Sequence, residues 1–144
     1  MTDDTTNDPA ARQTAIASRA AGMPIAVWLN YQASVIDGTL IHRLGFDEKH
    51  IGNPIIRALH GGVIAAFLEL SAQLEVEMLI EPGQRAKVIS TQIDYLASSV
   101  AADMEAAVSV KKLGRRIAFL DATGWQSDRL TPVAQAQLCF RIGA

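Results

Sequence analysis

One long apolar segment constrains the fold of this chain more than any other feature. From Gly61 to about residue 80, just before Pro82-Gly83, the sequence predicts a single helix. Its large apolar side chains recur at spacings of three and four residues and therefore share one stripe; they are Val63, Phe67, Leu70, Leu74 and Met78. A helix this apolar is unsuited to the protein surface, so the rest of the chain must cover it.

Six strand candidates flank this helix, two before it and four after it. Asp37-Gly38 is a two-residue hairpin signal that joins the first two. Alternation of apolar and polar residues in the later candidates indicates antiparallel strands with one covered face. The six strands are predicted over residues 27–36, 39–46, 85–96, 103–113, 116–127 and 132–142, with a loop over 47–59. The economical arrangement is an α+β fold, in which an antiparallel sheet of about six strands is wrapped around one central helix.

The chain is predicted to be one domain with a short tail. Residues 1–9 are mostly polar and include three aspartates, and we expect them to be disordered. Residues 9–21 are rich in alanine and predict a short helix that ends at Gly22. With no internal repeat or linker, residues 10–144 form a single predicted domain.

Composition narrows the classes of function. The net charge of −2 argues against a general nucleic-acid-binding protein, which is usually basic. The lone Cys139 cannot form an internal disulfide and fits a reducing cytoplasm. We find no signal peptide and no apolar run near the roughly 20 residues of a membrane span. The three histidines lack metal-ligand spacing, so we expect no metal and no cofactor.

The start of the predicted helix carries the residues for chemistry on an acyl group. His60, Gly61 and Gly62 open the helix, where free backbone N–H groups and the helix dipole favour negative charge. Glu69 follows nine residues after His60, on the side of the helix shared by Gly62. A carboxylate and an N–H donor can together attack an acyl carbon and stabilise the oxyanion. The structural alternatives are an ion-paired or solvated Glu69, a helix-start His60 bonded to backbone, and a Gly62 needed only for close packing.

These residues resemble the active-site segment of hot-dog-fold acyl-CoA thioesterases, in particular the phenylacetic-acid-pathway type within the 4-hydroxybenzoyl-CoA thioesterase-like superfamily. The family pattern is an Asn, a short loop, His-Gly-Gly and an acidic residue nine positions after the His. Here these are Asn53, His60-Gly61-Gly62 and Glu69, and Asp94-Tyr95-Leu96 resembles a further family motif. That motif usually continues with Arg and Pro, where this chain has Ala97 and Ser98. The resemblance extends from about residue 27 to the C-terminus.

The resemblance implies a hot-dog fold and hydrolysis of acyl-CoA to a carboxylic acid and CoA. Glu69 would be the general base or the nucleophile, and the Gly62 N–H would hold the oxyanion. His60 and Asn53 would orient the thioester, with Gly61 beside it. The site would lie between subunits of a homodimer, and a dimer of dimers is also consistent with the family.

The chain departs from the family pattern at several candidate positions. Family members often place a hydroxyl side chain where this chain has Val88. Ser90, two residues farther on and on the same strand face, could substitute, as could Thr91 if the register slips. Another branch has Thr where this chain has Gln73. The loop after Asn53 carries Arg57 near a position where glycine is common, and the default role of a loop Asn is turn formation.

One turn concentrates positive charge. Lys111, Lys112, Arg115 and Arg116 lie within six residues. This turn is either a solvated hairpin tip or a binding site for the phosphates of CoA.

Two other functions of the protein stay open besides thioester hydrolysis: a non-catalytic acyl-CoA-binding module, and a hot-dog dehydratase or hydratase that acts on acyl thioesters.

Overall fold

The computed structural model describes residues 8–144, so most of the predicted tail lies outside the described residues. Helix α1 spans Pro9–Ala21, and the Asp8 side chain accepts a hydrogen bond of 3.3 Å from the Ala10 N–H. Asp8 and Pro9, which we assigned to the tail, therefore form the start of this helix. Within the described residues, no helix combines the length and apolarity that crossing a membrane requires.

A second short helix, α2 at Pro24–Trp28, occupies the region where we predicted the first strand to begin. That prediction was wrong for residues 27–30. Pro24 occupies the first turn of the helix, where its missing N–H costs nothing. The chain then turns at Asn30, which has a positive φ of 51°.

The six predicted long strands are confirmed, with ends that differ by a few residues. They are β1 (Tyr31–Ile36), β2 (Thr39–Leu44), β5 (Arg85–Tyr95), β6 (Met104–Leu113), β7 (Ile117–Trp125) and β8 (Ala134–Gly143). They form one antiparallel sheet in the order β1-β2-β6-β7-β8-β5. The predicted hairpin turn is confirmed, since Asp37 and Gly38 have φ values of 51° and 76°.

The predicted loop over residues 47–59 contains structure that we did not predict. A 3₁₀ turn at Glu48–His50 leads into a two-stranded hairpin of β3 (Ile51–Asn53) and β4 (Ala58–Leu59). These strands are too short to show a periodic pattern. This hairpin leads directly into the central helix.

The central helix α3, Gly61–Glu77, packs against β5, β6, β7 and β8. It ends three residues earlier than predicted. Four residues of the predicted stripe are buried and Met78 is partly buried. Alternate residues of the inner strands face this helix. On β8 they include Ala136, Leu138 and Phe140. The predicted hot-dog arrangement, a sheet around one central helix, is therefore confirmed.

A β-bulge in β5 decides which of its side chains face α3. Val88 pairs with Phe140, and Thr91 pairs with Leu138, while the register shifts between Val88 and Ser90. Because Phe140 and Leu138 share the inner face of β8, Val88 and Thr91 both face α3. Ser90 pairs instead with Cys139 and faces the other side of the sheet.

A buried polar cluster ties α1 to the core. The Glu75 carboxylate lies 3.1 Å from His42 Nε2 and 3.5 Å from the Arg12 guanidinium. Since a carboxylate only accepts, neutral His42 carries its proton on Nε2, and its Nδ1 accepts the Tyr31 hydroxyl at 2.6 Å. The cluster joins α1, β1, β2 and α3. It pairs polar side chains from these four elements that would otherwise be buried without partners.

We expect Tyr31 to make the stability of the protein fall at high pH. Burial, reinforced by the Glu75 charge, raises the pKa of Tyr31 well above its usual range. An unfolded tyrosine ionises near pH 10. Above about that pH the unfolded state loses this proton first, so the contribution of Tyr31 to stability is lost as the pH rises further. In urea titrations, the stability gap between wild type and Tyr31→Phe should narrow from pH 8 to pH 11. A gap that does not change with pH would contradict this assignment.

Candidate active site

The α3 N-terminus is capped by His60. The residue lies just before the helix, and its Nδ1 accepts a hydrogen bond of 2.9 Å from the Gly62 N–H. A Cβ on Gly62 would lie only 3.0 Å from that nitrogen, so glycine is what admits the ring. This corrects one expectation: in this conformation the Gly62 N–H is bonded to His60 and is not free for an oxyanion.

Gly61 supplies the free donor instead. As the first residue of α3 it has no partner within the helix, and no residue between 8 and 144 accepts from its N–H. Its carbonyl oxygen accepts a hydrogen bond of 2.7 Å from the Tyr95 hydroxyl. A Cβ on Gly61 would lie 3.3 Å from that hydroxyl, a tight contact that favours glycine at this position as well.

The segment that contains the 3₁₀ turn and the β3–β4 hairpin fixes the position of His60 by a hydrogen bond and by close packing. The His60 N–H donates to the His50 carbonyl at 2.8 Å, and a Cβ on Gly52 would lie only 2.7 Å from His60 Cα. The His50 ring is buried, with Nδ1 accepting from the Asp47 N–H and Nε2 lying 2.9 Å from the Trp28 carbonyl. We did not predict this supporting role of His50. The capping spacing from Asp47 to His50 is a signal that could have indicated it.

Glu69 is partly buried and has no cationic partner. No Lys, Arg or His nitrogen between residues 8 and 144 lies within salt-bridge distance of its carboxylate. Within the described part of the chain, its one hydrogen-bonding neighbour is the Thr91 hydroxyl, 3.5 Å from Oε2. The bulge in β5 produces this contact, because it turns Thr91 toward α3. The expectation that Ser90 shares the face of Val88 was wrong, and the strand separates Ser90 from Glu69.

Gln73 lies one helical turn beyond Glu69, but its side-chain amide bonds to Glu77 and not to Glu69. Its amide donates to Glu77 at 3.2 Å, and Glu77 also accepts from Arg19 at 3.2 Å. The structure therefore places Gln73 on the same side of α3 as Glu69 while engaging its amide with the following turn.

Asn53 and Arg57 are engaged within their own loop. Asn53 Oδ1 accepts from the N–H groups of Ile55 and Ile56 at 3.0 and 3.4 Å, which is the turn-forming role. Arg57 makes a two-pronged ion pair with Glu48 and holds the pKa of that carboxyl below its usual range. These contacts supply both side chains with partners other than Glu69.

The basic turn lies at the far end of α3 from His60. Arg115 shares a surface groove with Leu79 and Ile80, which follow the C-terminus of the helix. Lys111 is within 3.5 Å of Asp121, and the other cations of the turn are exposed. Sequence spacing did not reveal that the sheet brings further cations to this end. Lys87 pairs with Arg141 across β5 and β8, and Arg85 is nearby at the start of β5.

No metal site accompanies these residues in the described part of the chain. Among residues 8–144, no three His, Cys, Asp or Glu side chains come together in a way that could hold a metal ion.

The fold, together with a carboxylate on the central helix that two glycines open, is that of the hot-dog thioesterases. The chain belongs to the family described as acyl-CoA thioesterase N-terminal domain, whose profile matches residues 52–141. The matched segment runs from the β3–β4 hairpin almost to the end of β8 and contains all the candidate residues named above.

Solved structures share this fold at low sequence identity. A phenylacetic acid degradation-related protein from Ralstonia eutropha JMP134 is 18% identical, with a TM-score of 0.76 over 88% of this chain and 98% of that one. A Bacillus halodurans protein solved with CoA is 18% identical, with a TM-score of 0.78 over 98% and 92%. A Haemophilus influenzae thioesterase is 17% identical, with a TM-score of 0.76 over 87% and 86%. No curated protein matches this chain.

Proposed function

We propose that this protein hydrolyses an acyl-CoA thioester to a free carboxylic acid and CoA. The observation that carries the proposal is the Glu69 carboxylate, which has no cationic partner in the described chain and stands on the helix that opens with a free Gly61 N–H. Eight residues of α-helix separate Gly61 from Glu69, which corresponds to about 12 Å along the axis. Because a base and an oxyanion donor must each lie within about 3 Å of one thioester group, we propose that Glu69 of one copy acts together with the Gly61 N–H of a second copy, at the positive end of its helix dipole.

Two routes are open to Glu69. As a general base it takes a proton from water while the water oxygen bonds to the acyl carbon. As a nucleophile it attacks that carbon itself, and water then hydrolyses the resulting anhydride. In both routes the C–S bond breaks and CoA leaves as a thiolate, so a strong general acid is unnecessary.

The backbone at the start of α3 would stabilise the oxyanion. We propose the Gly61 N–H for this role, because the Gly62 N–H is bonded to His60. With Nδ1 accepting from Gly62, neutral His60 carries its proton on Nε2. That N–H would orient the thioester oxygen or meet the leaving sulfur. Asn53 would contribute through its side-chain NH₂, since its oxygen is already engaged.

A second copy of the chain would complete the site. β5 is an edge strand of 11 residues, and Ile89 on it is 54% exposed. A long edge with exposed apolar residues is usually covered by another strand. We propose a homodimer, with a dimer of dimers as a further assembly. We also propose a cytoplasmic location, where the lone Cys139 would stay reduced.

The basic end of the sheet would bind the CoA phosphates. Eight helical residues, or about 12 Å, separate Glu69 from the end of α3 at Glu77, and Ile80 at the basic groove follows three residues later. The pantetheine arm has about 13 bonds, comparable to four residues of extended chain, or about 15 Å. The cations at this end are Arg85, Lys87, Lys111, Lys112, Arg115, Arg116 and Arg141.

We expect the purified protein to release free thiol from acyl-CoA esters. The panel should run from acetyl to palmitoyl and include phenylacetyl and hydroxybenzoyl, each compared with the matching acyl-pantetheine. Replacing Lys112 and Arg115 by Glu should raise KM about tenfold for acyl-CoA, because phosphate contacts are lost, but should leave KM for acyl-pantetheine unchanged. Lys49→Glu, an exposed charge change on the Trp28 side of the molecule, is the matched control.

Other outcomes of the panel would select the alternatives. Tight binding of CoA esters without thiol release would indicate a binding module, which the engagement of Gln73 by Glu77 favours as the second candidate. Conversion of an enoyl-CoA without loss of CoA would indicate a dehydratase or hydratase.

A further inference from the structure

We infer that Tyr95 is a positioning residue that acts on His60 through the peptide group between Gly61 and Gly62. The inference deepens the proposed function, because it assigns what orients the imidazole beside the thioester. Tyr95 ends β5 and is 54% exposed, so its hydroxyl is not held in place by burial in the core.

One peptide group connects the two side chains. Its carbonyl, that of Gly61, accepts the Tyr95 hydroxyl at 2.7 Å. Its N–H, that of Gly62, donates to His60 Nδ1 at 2.9 Å. Because a trans peptide is planar and its C=O and N–H point in opposite directions, both bonds fix the same plane. A hydrogen bond to the carbonyl also polarises the group and strengthens its N–H as a donor.

The consequence for His60 is a fixed tautomer. Nδ1 can accept from Gly62 only if it carries no proton, so in the neutral ring the proton is on Nε2. His60 is exposed, and this Nε2–H is the group it can present to a substrate. The Tyr95 hydroxyl thus supports the tautomer that the proposed mechanism requires.

Both glycines are needed for this connection. A Cβ on Gly61 would press on the Tyr95 hydroxyl at 3.3 Å and on Cζ at 3.4 Å. A Cβ on Gly62 would press on His60 Nδ1 at 3.0 Å and on Cε1 at 3.1 Å. The pair of glycines leaves space for a side chain on each side of one peptide.

The same strand also contacts the base. Thr91 and Tyr95 face α3 from β5, paired with Leu138 and Ala134 on the neighbouring strand. Four strand residues span about 13 Å, and the eight helical residues from Gly61 to Glu69 span about 12 Å. β5 therefore holds the helix at two points, one at the donor end and one at Glu69.

The experiment compares ring nitrogens in ¹⁵N-labelled wild type and Tyr95→Phe by NMR near pH 8. In wild type, His60 should show the tautomer protonated on Nε2. In Tyr95→Phe its Nδ1 and Nε2 signals should move toward a mixture of tautomers. The signals of His42 and His50 should not move, because their partners are Glu75, Tyr31 and backbone groups.

Kinetics provide a second measurement. Tyr95→Phe should lower kcat about fivefold with KM for acyl-CoA unchanged, which is the effect of weakening one hydrogen bond in the transition state. The matched control is Tyr31→Phe, which removes the hydroxyl of the other tyrosine. It should move the His42 signals and leave both the His60 signals and kcat unchanged.

The outcomes separate this inference from the proposed function. His60 signals that are identical in wild type and Tyr95→Phe would overturn the inference, even if the protein hydrolyses thioesters. A shifted His60 tautomer in a protein that releases no thiol would support the connection and reject the hydrolase.

Discussion

Glu69→Gln should lower kcat/KM for the best acyl-CoA ester by a hundredfold or more. The substitution keeps the shape of the side chain and removes its ability to take a proton or attack carbon, and such a loss costs roughly 10²–10⁴ in rate. The free energy of unfolding should change by less than about 0.5 kcal/mol, because the carboxylate has no ion pair in the described chain and is only partly buried.

Glu77→Gln is the matched control for this prediction. It lies two turns farther along the same side of α3 and contacts Gln73 and Arg19 instead of Thr91. Its kcat should stay within about twofold of wild type. Thiol release that persists in Glu69→Gln would remove this carboxylate from the mechanism and favour a different catalytic group.

A single-turnover reaction in ¹⁸O water distinguishes the two routes open to Glu69. If the carboxylate attacks the thioester, water can attack the resulting anhydride at the Glu69 carbon and leave label in the protein. If Glu69 is a general base, the label enters only the released acid. Mass spectrometry of the peptide that contains Glu69 measures the difference.

Glu75→Ala should lower the free energy of unfolding by about 3 kcal/mol without any direct effect on the chemistry. The carboxylate is 4% exposed and is shared by His42 and Arg12. Its removal leaves a buried ring N–H without an acceptor and a guanidinium without its counter-charge. It also detaches α1 from α3 at one of their two ionic contacts, the other being Arg19 with Glu77.

Urea unfolding measures this loss as a lower midpoint with an unchanged slope. Glu69→Ala, on the same helix, is the matched comparison and should unfold close to wild type. Substitution of Glu69 should therefore lower activity with little change in stability, and substitution of Glu75 should lower stability. A Glu75→Ala variant within about 1 kcal/mol of wild type would show that the cluster contributes little beyond its own desolvation.

Sequence by itself determined the elements whose signals are local. The stripe of α3 and the alternation of β8 follow from side-chain periods that depend only on the element itself. Asp37-Gly38 predicted its turn because both positions need positive φ. Helix α2 and the β3–β4 hairpin were missed because elements of two to five residues are too short to establish a period.

Sequence also located the candidate site but could not assign its contacts. The spacing of His60 and Glu69 along one helix is a local property, so the amino-acid order alone fixes their separation along its axis at about 13–14 Å. Whether Ser90 or Thr91 faces Glu69 depends on a bulge, and a shift of one residue exchanges the two faces of a strand.

Tertiary structure alone decided which polar groups are already engaged. Glu69 and Glu75 look alike in the sequence, since each is a carboxylate in a largely apolar helix. Only the approach of His42 and Arg12 gives Glu75 a structural role. The position of the His60 ring occupies the Gly62 N–H, while no residue in the described part of the chain accepts from the Gly61 N–H. Hydrogen-bond partners distant in sequence are chosen by packing, which the residues of one segment do not encode.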